Sequence, residues 1–475
     1  MDLAAKLALY GDSGKPGTRH SSDLPQNARK SNSGEVPSPN AGVVAAALTE
    51  PAAVASAGKS LSFDAISLEP LGGGLYFREI DFRYLTLGGA SLKELMGQPM
   101  QYLDDLLPSA VRPSQAPGMV HRDEVLFLDT ETTGLSRGPG NFPFLYGLAW
   151  FKGNSLIFQQ YFLDGPGAEE VFHTRLSQLL AGFGAICTYN GKSFDIPVIR
   201  NRFVLLGERF RAPPIHLDLY HFWKSMFGGY ARKSKSGPAF ASAQSPAGVM
   251  RNGRTSEGKG KASFRQLDME REVLGFERQN DLPGSEVPQV YFDYRKYSRK
   301  ERMARVLQHN ELDLLGLALL FLRAVAVVDE RRNQEDLFRS AIARMFWRHG
   351  KEEEAERILE ELNRSGNYEQ SLLYSDRRLL ALILKKKGQY DSAFQIHCRL
   401  FEKYHCMHSC LEVARFQERK KKDSGAALKT VESGLAFLEF RGADTQSRVY
   451  RDLQKRRQRL LTLEKRKSHE HNTAN

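Results

Sequence analysis

Two acidic residues stand one residue apart at the end of an apolar run, in the stretch VLFLDTETTGLSRGPG at residues 125–140. The run VLFLD has the composition of a buried strand, and Asp129 and Glu131 come at its end, followed by a Thr-Thr-Gly turn. Carboxylates are costly to hold close together beside a core unless a cation neutralises them. The stretch therefore predicts a cation near Asp129 and Glu131.

Two further motifs supply acidic residues next to apolar segments. In YNGKSFDIPVIRNRF, an Asn-Gly turn precedes Asp195, which falls in the first part of a predicted helix. In VLQHNELDLLGLALL, His309 and Asp313 are four residues apart and lie on one face of a predicted helix. Together with Asp129 and Glu131, these residues have the composition of a site for two divalent cations, Mg²⁺ or Mn²⁺. Two such ions stabilise the attacking and leaving oxygens of an in-line phosphoryl displacement.

The chemistry also needs a group that takes a proton from the attacking water. His309 is one helical turn from Asp313, and an imidazole of near-neutral pKa suits general base catalysis. A lone histidine on a helix is more often a packing residue, but the neighbouring acids favour the catalytic role. Asn190 and Lys192 could contact substrate, although an Asn-Gly turn explains Asn190 equally well. Asp218 is predicted to cap a strand end rather than to join the site.

The elements that would position these residues alternate between strand and helix. Two aromatic-rich runs separated by Lys152-Gly153-Asn154 predict a β-hairpin, and a helix with apolar spacing at Val171, Leu176, Leu179 and Leu180 follows. AICTYNG then returns to a strand. The pattern predicts an α/β fold, a mixed sheet covered by helices, within residues 61–330.

The flanking segments differ in composition. Residues 1–60 are rich in Ser, Gly, Pro, Ala and Asn and predict a disordered arm, and residues 228–263 predict a flexible basic insertion. That insertion is either a solvated spacer or a cationic flap over a nucleic-acid strand. Residues 335–475 predict an all-α domain with a basic tail, in which Gly350/Ala355 and Gly388/Ala393 repeat after 38 residues. This spacing is similar to tetratricopeptide-type helical hairpins, with an ordinary helical bundle as the alternative.

Composition limits the class of protein. The chain has 475 residues and a net charge of +12, which favours a polyanionic partner such as nucleic acid. Four cysteines in so long a chain predict a reducing, cytoplasmic setting, and no apolar run approaches the length that a bilayer needs. The histidines and cysteines of residues 397–410 lack the paired spacing of a zinc site and are predicted to be packing residues.

The order DTETTG, YNGKSFD and HNELD resembles the three motifs of the DnaQ-like 3′–5′ exonucleases of the ribonuclease-H-like superfamily. The resemblance implies four acidic metal ligands, Asp129, Glu131, Asp195 and Asp313, and His309 as the base. His309 and Asp313 have three residues between them, the spacing of the tyrosine-type members. Further stretches, above all LDMEREVLGFERQNDLPGSEVPQVYFDY, resemble the YprB-like ribonuclease-H-like domain over residues 65–325, whose bacterial members often carry C-terminal tetratricopeptide repeats.

The function expected from these features is that of a metal-dependent nuclease, a DEDD-type 3′–5′ exonuclease acting on single-stranded DNA or RNA ends. The alternative is a nucleic-acid-binding or scaffold protein that hydrolyses little and recruits a protein partner through its C-terminal helices. Titration with Mn²⁺ separates the two, because a binding module shows no metal-dependent thermal stabilisation linked to these acids.

Overall fold

The computed structural model describes most of the chain between residues 61 and 473. The described residues are 61–97, 106, 120–134, 136, 138, 140–231, 263–332, 334, 336–365 and 370–473. The predicted arm at 1–60 and residues 232–262 of the predicted insertion lie outside them. Residues 228–231 of that insertion form the end of a helix instead of a loop.

The described residues form two compact units. An α/β unit contains residues 61–97, 120–220 and 265–322, and a helical unit contains residues 221–231 and 323–473, with the gaps given above. Each is considered by itself.

Eight described strands form the sheet of the α/β unit, in the order β1-β2-β3-β8-β7-β6-β9-β10. From β1 to β6 in this order, each strand pairs antiparallel with its neighbour. The last three strands, β6, β9 and β10, are parallel to one another. The strands are β1 (Leu61–Phe63), β2 (Ile66–Gly72), β3 (Leu75–Phe82), β6 (Val125–Thr132), β7 (Pro143–Lys152), β8 (Ser155–Leu163), β9 (Ala185–Thr188) and β10 (Ile215–Asp218), with β4 (Thr86–Leu87) and β5 (Ala90–Ser91) forming a separate pair.

The helices of this unit lie between the strands and after them in the sequence. They are α1 (Leu92–Met96), α2 (Glu169–Ala181), α3 (Asp195–Leu205), α4 (Leu219–Ala231), α5 (Gln266–Met269), a π-helical turn (Glu270–Leu274), α6 (Val287–Tyr297) and α7 (Glu301–Asp329). Both α4 and α7 continue into residues of the helical unit. The mixed sheet with its helices, followed by further helices, confirms the predicted fold class.

Strands β6, β7 and β8 are buried almost throughout, as expected for central strands covered on both faces. The predicted hairpin is present, since β7 and β8 pair across Gly153 and Asn154, with Gly153 at a φ of +59°. On one face, Phe172 of α2 packs against Tyr146 and Tyr161. The predicted helix is present, and within its apolar spacing Val171 is 47% exposed, whereas Leu176, Leu179 and Leu180 are buried.

The other face carries a row of cross-strand partners beneath α7. Arg78 pairs with Gln160, Gln160 with Gly147, and Gly147 with Asp129, across β3, β8, β7 and β6. A Cβ added at Gly147 would lie 2.5 Å from Asn310 Oδ1 of α7. The missing side chain at Gly147 therefore lets α7 approach the middle of the sheet.

The helical unit continues with helices whose buried residues are mostly apolar. They are α8 (Asp336–Arg348), α9 (Glu352–Ser365), α10 (Gln370–Lys386), α11 (Tyr390–Tyr404), α12 (Met407–Arg419), α13 (Ser424–Phe440) and α14 (Arg448–Thr473). Gly350 and Gly388 have positive φ and precede helices in which Ala355 and Ala393 are buried. The tetratricopeptide character of this unit stays a prediction. Within the described part of the chain, no helix is long and apolar enough to cross a membrane.

Candidate functional site

Strand β6 places the first two acids under α7. Phe127, Asp129 and Glu131 alternate along the strand and share a face, and Phe127 packs against Phe321 of α7. Thr130 points to the opposite face, where its hydroxyl donates to Asp195 Oδ1 at 2.6 Å. The alternation of the strand therefore directs Asp129 and Glu131 towards α7, while Thr130 on the opposite face binds Asp195.

A chain of hydrogen bonds fixes the orientation of Asp129. Asn310 Nδ2 donates to Asp129 Oδ2 at 2.8 Å, and Gln160 Nε2 donates to Asn310 Oδ1 at 2.8 Å. Arg78 Nε donates in turn to Gln160 Oε1 at 2.8 Å. Asn310 and Gln160 are fully buried. With its Oδ2 held in this way, Asp129 keeps Oδ1 without a hydrogen bond to any described residue.

Asp195 is the first residue of α3 and follows a tight turn after β9. A Cβ at Gly191 in this turn would lie 2.6 Å from Thr188, so the close approach requires glycine. Asp218 holds the turn, because its carboxylate accepts from the backbone N–H of Asn190 at 2.8 Å and of Lys192 at 3.1 Å. This agrees with the capping role predicted for Asp218.

Asn190 and Lys192 are exposed in the same turn, and Asn190 has a φ of +62°. Among the described contacts, neither side chain bonds to a carboxylate of the cluster. Their predicted contact with substrate stays a proposal.

Helix α7 brings His309 and Asp313 to the strand-end acids. His309 Nε2 lies 3.9 Å from Glu131 Oε1 and 3.4 Å from Asp313 Oδ2. Ligand atoms of these three residues all lie within 4.8 Å of one another, the one such group of His, Cys, Asp and Glu in the described chain. Within residues 397–410, His397 Nδ1 bonds to Ser409 Oγ at 3.1 Å.

Asp281 contacts the other nitrogen of the imidazole. Its Oδ1 lies 2.8 Å from His309 Nδ1, while Nε2 makes no hydrogen bond to a described residue. A carboxylate on Nδ1 fixes the ring and leaves Nε2 directed at Glu131 and Asp313. Asp281 was not among the predicted site residues, although it lies in the Gly- and Pro-flanked stretch GFERQNDLPG.

Arg278 joins the acids around the site and was also not predicted. Its guanidinium bonds to Glu270 at 2.6 and 2.7 Å, to Asp281 at 3.1 Å and to Asp313 Oδ1 at 2.7 Å. The side chains of Arg278 and Glu270 are 2% and 0% exposed. A Cβ at Gly316 of α7 would lie 2.0 Å from Glu270 Oε1, so this buried pair needs glycine there.

The pKa values show that the carboxylates resist simultaneous ionisation. Burial raises the pKa of Glu131 to about 8, with Asp313 and Asp195 adding to the effect and His309 opposing it. Burial, followed by Asp313, Asp195 and Glu131, also holds the pKa of Asp129 well above its usual range. Burial raises the pKa of Asp195 to about 6. A cluster of this kind favours a bound cation.

His309 shows the complementary behaviour. Burial by itself would lower its pKa, but Asp281, Asp313 and Glu131 together outweigh burial and raise the pKa to about 10. In the metal-free protein the imidazole is therefore a cation that partly neutralises the neighbouring acids.

These shifts predict that the metal-free protein loses stability as the pH rises from 6.5 to 8. In this window the folded protein keeps protons on Glu131 and His309 that the unfolded chain has released, so the free energy of unfolding falls with pH. The slope is at most about 1.4 kcal/mol per pH unit for each proton. The window begins at 6.5 because histidines with lowered pKa values act in the opposite direction below it, namely His173, His216, His397 and His408.

Urea unfolding in EDTA at several pH values measures this slope. Glu131→Gln is expected to reduce it, since the amide does not titrate. Identical slopes for the variant and the wild type would contradict the assignment of the proton to Glu131.

The structure thus brings Glu131, His309 and Asp313 into one group, with Asp129 and Asp195 electrostatically coupled to them. The chemistry of this set fits a divalent cation, because carboxylate oxygens and a free imidazole nitrogen converge and their protons are held by like-charge repulsion.

Comparison with known proteins gives a consistent result. Residues 126–235 and 255–325 match the model of the RNase_H superfamily. The chain is 29% identical over 328 residues to the uncharacterized protein YprB of Bacillus subtilis (strain 168), covering 66% of this chain and 70% of that protein. The matched residues contain every acid of the cluster and His309. The α/β unit of this chain is therefore similar to the ribonuclease-H-like domains of the RNase H superfamily.

Proposed function

We propose that this chain is a metal-dependent nuclease that hydrolyses phosphodiester bonds, working as a 3′–5′ exonuclease on single-stranded DNA or RNA. The superfamily match indicates an enzyme that acts on nucleic acid. The observation that supports hydrolysis is the convergence of Glu131 from β6 with His309 Nε2 and Asp313 from α7.

Asp129, Glu131, Asp195 and Asp313 would hold two divalent cations, Mg²⁺ or Mn²⁺. When bound, such ions stabilise charge on the attacking and leaving oxygens of the phosphodiester. The free Oδ1 of Asp129 and the free Oδ2 of Asp313 are available as ligand atoms, since Asn310 and Arg278 occupy their partner oxygens.

His309 would take the proton of the attacking water through Nε2. Asp281 keeps Nε2 directed at the acids, as the third member of a triad orients its histidine. An imidazolium cannot accept a proton, so the base role requires that the surrounding negative charge first be neutralised. Asn190 and Lys192, exposed in the turn before Asp195, would contact the phosphate or base of the substrate.

The test uses the full chain with oligonucleotides of single- and double-stranded DNA and RNA, labelled at either end. We expect stepwise shortening from the 3′ end in Mg²⁺ or Mn²⁺ and no hydrolysis in EDTA. A 3′ label should appear as a mononucleotide before the 5′-labelled strand is much shortened. Internal cleavage would replace the exonuclease by an endonuclease. Binding without hydrolysis in either metal would favour the nucleic-acid-binding scaffold.

A further inference from the structure

The positive charge of the chain is concentrated near its end. Residues 415–467 contain 16 Lys and Arg and 7 Asp and Glu, a net charge of +9, whereas the whole chain carries +12. All of these residues belong to the helical unit, outside the carboxylate site. Such an excess destabilises a compact fold through self-repulsion, so its location in one segment calls for a physical reason.

The structure brings the end of α12 and the middle of α14 together around one carboxylate. Arg456 Nη1 donates to Glu418 Oε2 at 2.6 Å, and Arg459 binds the other oxygen of Glu418. Arg415 and Arg419 lie one turn apart on α12, near enough to Arg456 that they and Arg459 help burial to lower its pKa against the effect of Glu418. Arg456 and Arg459 of α14 thus share Glu418 of α12, while Arg415 pairs with Glu412 within α12.

Three lysines extend this cluster at the end of α12. Lys420 Nζ lies 4.0 Å from the ring centre of Tyr390, and Lys421 Nζ lies 4.6 Å from that of Phe394. Lys422 is exposed at a φ of +57°. Neither Arg419 nor these lysines form an ion pair with any described carboxylate. Their side chains are exposed to solvent.

The lysines of α10 give a contrast within the same unit. Lys385 pairs with Glu412 at 3.1 Å and Lys386 with Glu352 at 2.7 Å, and Lys387 pairs with Glu356. Three consecutive lysines are therefore neutralised there, while the three at the end of α12 are not. The unneutralised charge is a local property and does not extend over the whole unit.

We propose that the basic surface formed by Arg415, Arg419, Lys420, Lys421, Lys422, Arg456 and Arg459 binds the phosphate backbone of nucleic acid without reading sequence. Phosphates one nucleotide apart match a surface of closely spaced cations. A membrane fits less well, because Phe394 beneath Lys421 is buried and Tyr390 beneath Lys420 is only 38% exposed, which leaves little apolar surface beside these cations for insertion. The proposal rests on the proposed function for the choice of polymer, but the binding itself needs no metal.

The experiment measures binding of a fluorescein-labelled single-stranded 30-nucleotide DNA, and of the matching RNA, to the full chain in EDTA at increasing NaCl. The variant Arg419→Gln/Lys420→Gln/Lys422→Gln removes three charges without breaking a described ion pair. We expect its affinity at low salt to fall at least tenfold, and the slope of log affinity against log salt to become shallower by about 2, since each contact contributes about 0.7. Arg419→Gln alone should change the slope by about 0.7, which serves if the triple variant folds poorly.

The matched control is Lys385→Gln/Lys386→Gln/Lys387→Gln, which removes the same charge from α10 and should leave the slope unchanged. Equal losses in both triple variants, or an unchanged slope in the first, would overturn the proposal. So would a variant that loses binding to phosphatidylserine vesicles while keeping nucleic-acid binding. If the wild type binds nucleic acid through this surface but hydrolyses none in Mg²⁺ or Mn²⁺, the proposed nuclease function is wrong, whereas the proposed binding surface is supported.

Discussion

Replacing Asp129 by asparagine is expected to lower metal-dependent hydrolysis by at least about 10³-fold, the equivalent of about 4 kcal/mol of barrier. The variant should also unfold less readily than the wild type in EDTA. Both effects have one cause. Asp129 is buried among Asp313, Asp195 and Glu131, and its pKa is held well above the usual range because the ionised form is disfavoured there.

The surroundings of Asp129 allow this substitution without rearrangement. Asparagine has the shape of aspartate, and its side-chain oxygen can still accept the hydrogen bond that Asn310 Nδ2 donates. A loss of activity that accompanies a gain in stability would identify a residue kept for function, whereas a packing defect would lower both.

Rates of release of a 3′ label in Mg²⁺, together with urea unfolding in EDTA, measure the two quantities. Asp81→Asn is the control, since Asp81 lies on β3, pairs only with Arg83 among described residues and is 39% exposed. It should change neither. Hydrolysis by Asp129→Asn at the wild-type rate would remove the proposed metal site.

Arg278→Met is expected to destabilise the α/β unit by about 3–5 kcal/mol, the cost of leaving buried charges without their partner. Methionine keeps much of the aliphatic volume, so the change removes the charge rather than the packing. Glu270, fully buried, would lose both of its hydrogen bonds to the guanidinium, and Asp313 and Asp281 would lose one contact each.

Hydrogen exchange of the β6 to β8 amides reports the stability of this unit separately from the helical one. Arg271→Met is the matched control, because Arg271 lies in the π-helical turn beside Glu270, is 49% exposed and bonds only to Asp268 and Glu272 among described residues. We expect a change below about 0.5 kcal/mol for it. The double variant Arg278→Met/Glu270→Gln should recover part of the loss, since it removes the buried acid as well. Similar losses for Arg278→Met and Arg271→Met would show that burial of the network does not matter.

Sequence patterns could predict those strands, helices and turns that neighbouring residues in the sequence determine. The acids at the end of β6 follow an uninterrupted apolar run, and His309 and Asp313 are one turn apart on a helix, so their positions follow from strand and helix geometry. The Gly-Asn turn between β7 and β8 is equally local. The helix that contains Val171 follows from its apolar spacing, although the spacing does not show that Phe172 packs against Tyr146 and Tyr161 while Val171 is exposed.

The network around the acids could not be predicted in this way. Asn310 meets Asp129 across 181 residues of sequence, and Arg278 contacts Asp313 only because a short π-helical segment packs against α7 at Gly316. No periodicity connects such positions. In the sequence, Gly147 and Gly316 are simply glycines that weaken a strand and a helix. The structure shows why they are needed, since Asn310 packs against Gly147 and Glu270 packs against Gly316.

The long sequence separation between Asp129 and Asn310 also affects how the site forms during synthesis of the chain. Strands β6 to β8 leave the ribosome well before α7, which supplies His309, Asn310 and Asp313. A nascent chain that ends before α7 holds Asp129 and Glu131 without these partners, and Gly147 leaves an open groove where the helix will lie. The carboxylate cluster therefore forms as a whole only when α7 docks, and a nascent chain that has not yet released α7 carries no complete site beside the messenger from which it is translated.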